Sequence, residues 1–157
     1  LVTSNIRRNS PLCLDSKIHH NNLINNILAK IEANHAGVDD ALMLDIDGFV
    51  SETNATNIFM IKDGIVYTPF PKACLPGITR QTVIDICQSN NIPIIEKDIS
   101  VTEMYNADEV FSTGTMGELA RVEEIDKRKI ENKGDVLSNL QNLFRKLTEK
   151  DGEKIPF

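Results

Sequence analysis

Apolar positions recur along this chain at two spacings, and the spacing changes several times. Leu23, Ile27, Leu28 and Ile31 fall three or four residues apart, which predicts a helix from about Asn22 to Asn34, closed by Gly37. Ala41 to Leu44 is a continuous apolar run and predicts a buried strand. Thr56–Lys62 and Ile65–Thr68 flank Asp63-Gly64, a strong signal for a hairpin turn. After Leu75-Pro76-Gly77 the helical spacing returns, with Val83, Ile84 and Cys87 on one face of a helix reaching about Ser89. Ile92–Ile95 predicts a strand, and Ser100-Val101-Thr102-Glu103 has the form of a capping box opening a short helix to Asn106. Strands are predicted over Asp108–Thr113 and over Leu119–Ile125. A last helix is expected over Asp135–Lys150, with Val136, Leu140, Leu143, Phe144 and Leu147 as its buried stripe. Leu1–Ile6 is a short β-prone run. Hairpins interleaved with helices predict an α/β, mixed α+β domain rather than a regular βαβ array.

Composition narrows the function classes. The 157 residues suffice for one domain with a core of its own, and 41% apolar with 25% charged residues is ordinary for a globular chain. A net charge of −6 argues against nucleic acid or an anionic membrane as partner. No apolar run approaches the ~20 residues of a membrane span, and the first residues lack the apolar core of a secretory signal. Cys13, Cys74 and Cys87 are odd in number and share no ligand spacing, so no metal site is expected. They read as structural thiols in a reducing cytoplasm. The chain opens on Leu-Val-Thr-Ser without an initiating methionine, and is expected to begin inside a longer protein.

Three stretches carry candidate chemistry. Glu52 lies in ALMLDIDGFVSETNAT, among apolar runs, where a carboxylate needs a cationic or hydrogen-bonding partner. That partner is either a buried arginine (Arg7, Arg8 or Arg80) or a protonated ligand nitrogen such as the ring nitrogen of pyridoxal. Gly77-Ile78-Thr79 opens a helix, where free backbone N–H groups, the helix dipole and a hydroxyl suit an anion. A plain helix cap accounts for the same residues. Gly114-Thr115-Met116-Gly117 at a strand end makes either a nest for phosphate or carboxylate, or a tight turn.

FVSETNATNIFMIKDGIVYTP, LPGITR, ADEVFSTGTMGEL and VEEIDKRKI, in this order and spacing, resemble successive motifs of the class IV pyridoxal-phosphate aminotransferases. That family includes branched-chain and D-amino acid aminotransferases and aminodeoxychorismate lyase. The resemblance covers nearly the whole chain and corresponds to the larger, C-terminal domain of a member, a mixed sheet in a pseudo-barrel with surrounding helices. It implies that residues 1–157 are the cofactor-binding domain and that the family's smaller N-terminal domain is absent from this chain. It further implies pyridoxal 5'-phosphate as cofactor, an amino acid and a 2-oxo acid as substrates, a homodimer in the full-length protein, and cytoplasmic location.

Residue by residue, the resemblance gives Glu52 the pyridine nitrogen. It gives Gly77, Ile78, Thr79 and Thr115 the cofactor phosphate, and Met116 and Gly117 the neighbourhood of the substrate carboxylate. Members carry a lysine bonded to the cofactor shortly before the first helix, and the gapless alignment puts His19 there. Imidazole cannot form that carbon–nitrogen double bond. Lys17, two residues earlier, is then the candidate catalytic lysine. In an extended Ser16–His19 segment it would project to the same side as His19, displaced by roughly 6.6 Å. The expected activity is transamination, with two alternatives: a lysine-deficient homologue that only binds ligand, or a lyase-like enzyme using the same groups.

Overall fold

In the computed structural model, which describes residues 1–151, three sheets and four helices stack in layers. Strand β1 (Val2–Thr3) runs parallel to β2 (Ala41–Leu44), which pairs antiparallel with β3 (Val50–Thr53). A second, five-stranded sheet has the order β6-β5-β4-β7-β8. It is built from β4 (Asn57–Lys62), β5 (Ile65–Thr68), β6 (Ile94–Glu96), β7 (Glu109–Gly114) and β8 (Glu118–Arg121). Only the β5–β6 pair is parallel within it. The predicted strand over 119–125 is two strands in different sheets. After β8 the chain leaves the large sheet, and β9 (Glu124–Ile125) pairs with β10 (Arg128–Lys129) across a turn with positive φ at Asp126 and Lys127.

The layers follow from side-chain alternation. Leu42 and Leu44 of β2 face one core while Ala41 and Met43 face another. In β4, Ile58 and Met60 join the core between the two sheets, and Phe59 and Ile61 point to the opposite face. A strand buried on both faces reads as an unbroken apolar run, which is why the period-2 signal is hidden in ALML and NIFMI. On the outer face of the large sheet, Phe59 stacks on Phe111 at a centroid distance of 4.9 Å. That face is covered by α2 (Ile78–Ser89) and α4 (Val136–Asp151) through Val83, Cys87, Leu137, Leu140 and Phe144. The capping box is present on α3 (Val101–Tyr105), where Ser100 and Glu103 bond reciprocally.

Helix α1 (Ile24–Ala36) packs differently from its apolar pattern. It meets the three-stranded sheet through Ala29 and Ala33, and Gly37 ends it at φ 71°. The large residues that marked it as a helix are left outside, with Ile27 53% and Ile31 42% exposed. Alanines let helix and sheet approach closely, and this turns the bulkier apolar stripe away from the core.

The termini of α2, β3, β4 and β7 meet at one rim. The pairing of β4 with β7 sets Asn57 opposite Thr113 there.

Candidate functional site

Glu52 sits in the middle of β3, whose four residues are all buried. The Asp45-Ile46-Asp47-Gly48 turn aims it, with Asp45 accepting from the N–H groups of Asp47 and Phe49 and Gly48 at φ 88°. Thr53 and Asn54 then tie down the strand end. The Thr53 hydroxyl meets that of Thr56 at 2.7 Å, and the Asn54 side-chain oxygen accepts from the N–H of Ala41.

The carboxylate of Glu52, 5% exposed, meets Arg8 Nη2 at 2.9 Å on one oxygen and accepts from Asn57 Nδ2 at 3.2 Å on the other. Of the three arginines considered from sequence, the fold selects Arg8. Arg80 is buried elsewhere, bonded to the carbonyl of Pro69 and to Glu96. Arg8 is itself held in place, its Nε on the carbonyl of Ala73 and its Nη1 on Asn26 of α1. Burial nevertheless outweighs the arginine, and the Glu52 carboxyl is pushed up to about 7 from its ordinary 4.5. A carboxyl that keeps its proton beside one cation is incompletely compensated as an anion, and a second cation would favour its ionised form. The neighbouring Cys74 thiol is pushed up to about 12 by burial, reinforced by Glu52, which makes it inert as a nucleophile.

Glu52 lines two adjoining cavities. One, of about 320 Å³, is bounded by His19, Asn57, Gly77, Ile78, Thr79, Thr113, Gly114 and Thr115. The other, of about 280 Å³, is bounded by Arg8, Ser16, His19, His20 and Asn26 among others. His19, Glu52, Ala55 and Leu75 belong to both walls. The larger volume lies at the lower end of the range for small-molecule sites.

Gly77, Ile78 and Thr79 line the larger of these two cavities at the start of α2. Gly77 is the N-cap of α2 and no side chain caps it, so the plain-cap reading, with Thr79 closing the helix start, is not what forms. A Cβ on Gly77 would lie 2.2 Å from Asn57 Oδ1, so a side chain there would displace the amide that holds Glu52. Ile78 lines the cavity mouth and is largely exposed to solvent. Across the cavity, Thr113 is 2% exposed and its hydroxyl has no partner within the described chain. A buried, unsatisfied hydroxyl on a cavity wall leaves a hydrogen-bonding position free for a water or a ligand. Gly114 and Thr115 complete that wall. Thr115, Met116 and Gly117 form the tight turn between β7 and β8, so the GTMG stretch is a turn and a cavity lip at once. Met116 and Gly117 stand exposed at the tip, beside the cavity lining rather than in it.

Lys17 is not brought to this site. The segment is turned rather than extended, with Ile18 N–H on the carbonyl of Asp15 and Lys17 N–H on the Asp15 carboxylate. Lys17 is exposed and lines neither cavity, whereas His19 lines both. Asn57, Asn26 and Thr113 escaped the reading of the sequence. Thr113 carried the only available signal, as the last predicted residue of a strand running into a glycine.

The arrangement puts a buried carboxyl, an uncapped helix terminus and threonine hydroxyls on one cavity wall. Residues 1–125 match the family model for amino-transferase class IV, and the chain belongs to that family. It is 61% identical to branched-chain-amino-acid aminotransferase-like protein 2 of Arabidopsis thaliana, covering 99% of this chain and 28% of that protein. It is 45% identical to the branched-chain-amino-acid aminotransferase of Pseudomonas aeruginosa over 77% of this chain and 40% of that one. A T.th. branched-chain amino acid aminotransferase, solved with pyridoxamine 5'-phosphate, superposes with a TM-score of 0.90 at 34% identity, covering 96% of this chain and 52% of the other. The chain therefore spans between about a quarter and about half of these relatives.

Proposed function

We propose that this chain is the cofactor-bearing domain of a pyridoxal 5'-phosphate-dependent protein that moves an amino group between an amino acid and a 2-oxo acid of the branched-chain type. The observation that carries the proposal is the convergence of Glu52, the uncapped α2 terminus and the unpartnered Thr113 hydroxyl on one cavity. A phosphorylated pyridine needs an anion at its nitrogen and a cradle for its phosphate, and the residues present fit both needs. The bound cofactor supplies an electron sink.

Glu52 holds the proton on the ring nitrogen, and Arg8 and Asn57 hold Glu52. Gly77 allows the close approach, while Ile78 through its backbone, and Thr79 and Thr115 through their hydroxyls, hold the phosphate. Met116 and Gly117, at the hairpin tip, offer backbone N–H groups to a substrate carboxylate. On this reading a smaller N-terminal domain and the partner subunit of a homodimer close the substrate side in the full-length protein. A cytoplasmic setting accords with the three free thiols.

The position of the lysine separates two forms of the proposal. If Lys17 forms the covalent link, the Asp15–Lys17 turn must open. If it does not, the cofactor is held non-covalently, which the exposure of Lys17 and the placement of His19 favour. The test is to saturate the full-length protein with pyridoxal 5'-phosphate, reduce with borohydride, digest and locate the modified peptide by mass. A label on Lys17 establishes the covalent form. Saturable binding with no label establishes the other, and no binding at all removes the proposal. Glu52→Ala is expected to abolish transamination while phosphate anchoring persists.

A further inference from the structure

Four charged or titratable side chains line the two joined cavities among the described residues: Arg8, His19, His20 and Glu52. Arg8 and Glu52 are committed to one another at 2.9 Å. His20 reaches only the smaller cavity, away from the α2 terminus. His19 opens onto both, on a wall shared with Glu52, and its side chain is exposed rather than locked in the core. Imidazole carries a nitrogen that can accept a proton and give it back, but it cannot make the carbon–nitrogen double bond that a primary amine makes with an aldehyde.

Resting on the cofactor reading above, we infer that His19 is the proton-transfer group of a site that works on an untethered cofactor. The balance of the half-reaction needs no other reagent. The amine form of the cofactor condenses with a 2-oxo acid and water leaves. His19 takes the proton from the cofactor carbon that bears the nitrogen and returns it to the former carbonyl carbon of the acid. Water then splits the new carbon–nitrogen double bond, releasing the amino acid and leaving the cofactor as aldehyde. The cofactor loses two electrons and the acid gains them. Because no lysine among the described residues lines either cavity to recapture the aldehyde, the cofactor exchanges with free pyridoxal and pyridoxamine phosphates between half-reactions.

The test uses the full-length protein with pyridoxamine 5'-phosphate and 4-methyl-2-oxovalerate under single-turnover conditions, following aldehyde formation by absorbance. Cofactor binding is measured separately by equilibrium dialysis. His19→Ala is expected to bind the cofactor with little change in affinity and to convert it about 10²- to 10⁴-fold more slowly, the range for loss of a positioned proton-transfer group. His19→Lys, given pyridoxal 5'-phosphate and borohydride, is expected to gain a covalent label at position 19 that the wild type lacks. Three results overturn the assignment while leaving cofactor binding standing. They are an unchanged rate in His19→Ala, a wild-type label on Lys17, and wild-type binding with no conversion. Failure of both wild type and His19→Lys to bind either cofactor form overturns the cofactor reading itself.

Discussion

Glu52→Gln is expected to stabilise the cofactor-free protein at alkaline pH while weakening cofactor binding. In the folded chain burial lifts the Glu52 carboxyl from 4.5 to about 7, even with Arg8 at 2.9 Å. The folded state therefore holds this proton more tightly than the unfolded state does. Its contribution to stability is complete below the unfolded value of 4.5 and is lost as pH rises through about 7. At about 1.4 kcal/mol per tenfold change in proton affinity, the loss by pH 8 is about 3 kcal/mol. Glutamine ionises in neither state and keeps the size of the side chain, so the variant escapes that loss. Near pH 4.5 the two proteins should have similar stability, since the protonated acid and the amide are both neutral beside Arg8. At pH 8 the variant should lead by about 3 kcal/mol. Urea unfolding at both pH values, with m-values compared, gives the measurement. The same variant lacks the anion for the pyridine nitrogen, so pyridoxal 5'-phosphate should bind less tightly at pH 8. If Glu52→Gln is instead less stable than wild type at pH 8, the Arg8–Glu52 attraction exceeds the burial penalty. The reasoning that leaves Glu52 waiting for a second cation then fails.

Gly77→Ala should lower cofactor affinity at least tenfold with little loss of stability, because its Cβ lands 2.2 Å from Asn57 Oδ1 and moves the side chain that steadies Glu52. Fluorescence titration with pyridoxal 5'-phosphate, beside a melting curve, separates the two effects. Thr113→Val removes a buried hydroxyl that has no partner in the described chain. It should stabilise the cofactor-free protein by about 1 kcal/mol and weaken binding of the cofactor, the opposite signs being the signature of a ligand-directed group. Glu109→Ala should cost about 3 kcal/mol in urea unfolding with cofactor affinity unchanged. This fully buried carboxylate accepts from the N–H groups of Val136 and Leu137 at the start of α4, with Arg121 3.9 Å away.

Much of this protein is decided by local pattern. The Ala41–Leu44 strand, the Asp63-Gly64 hairpin, the helix after Gly77 and the capping box at Ser100 follow from runs, turn residues and caps that act within a few positions of one another. The motifs also told the family, because Glu52, Gly77–Thr79 and Gly114–Thr115 keep their order along the chain. Strand membership was less legible. Nothing local separates β8 from β9, since the break between them arises from which sheet each edge can join. Nor does the helical stripe of Leu23, Ile27, Leu28 and Ile31 show that α1 would turn it outward. That depended on the fit of Ala29 and Ala33 against Ala41 and Met43.

The site divides in the same way. A carboxylate inside an apolar stretch must find a partner, and sequence alone says that much of Glu52, because the cost of burial is a property of the residue and its neighbours in the chain. Which of three arginines meets it is a matter of distance across the fold, and only tertiary packing brings Arg8 there through Asn26 and Ala73. The register of β4 with β7 sets Thr113 facing the cavity beside Asn57. One turn at Asp15 leaves Lys17 outside the cavities that Glu52 lines and puts His19 on their walls. Spacing along a chain tells which side chains are available; the direction each one points is fixed only when the segments carrying it are packed.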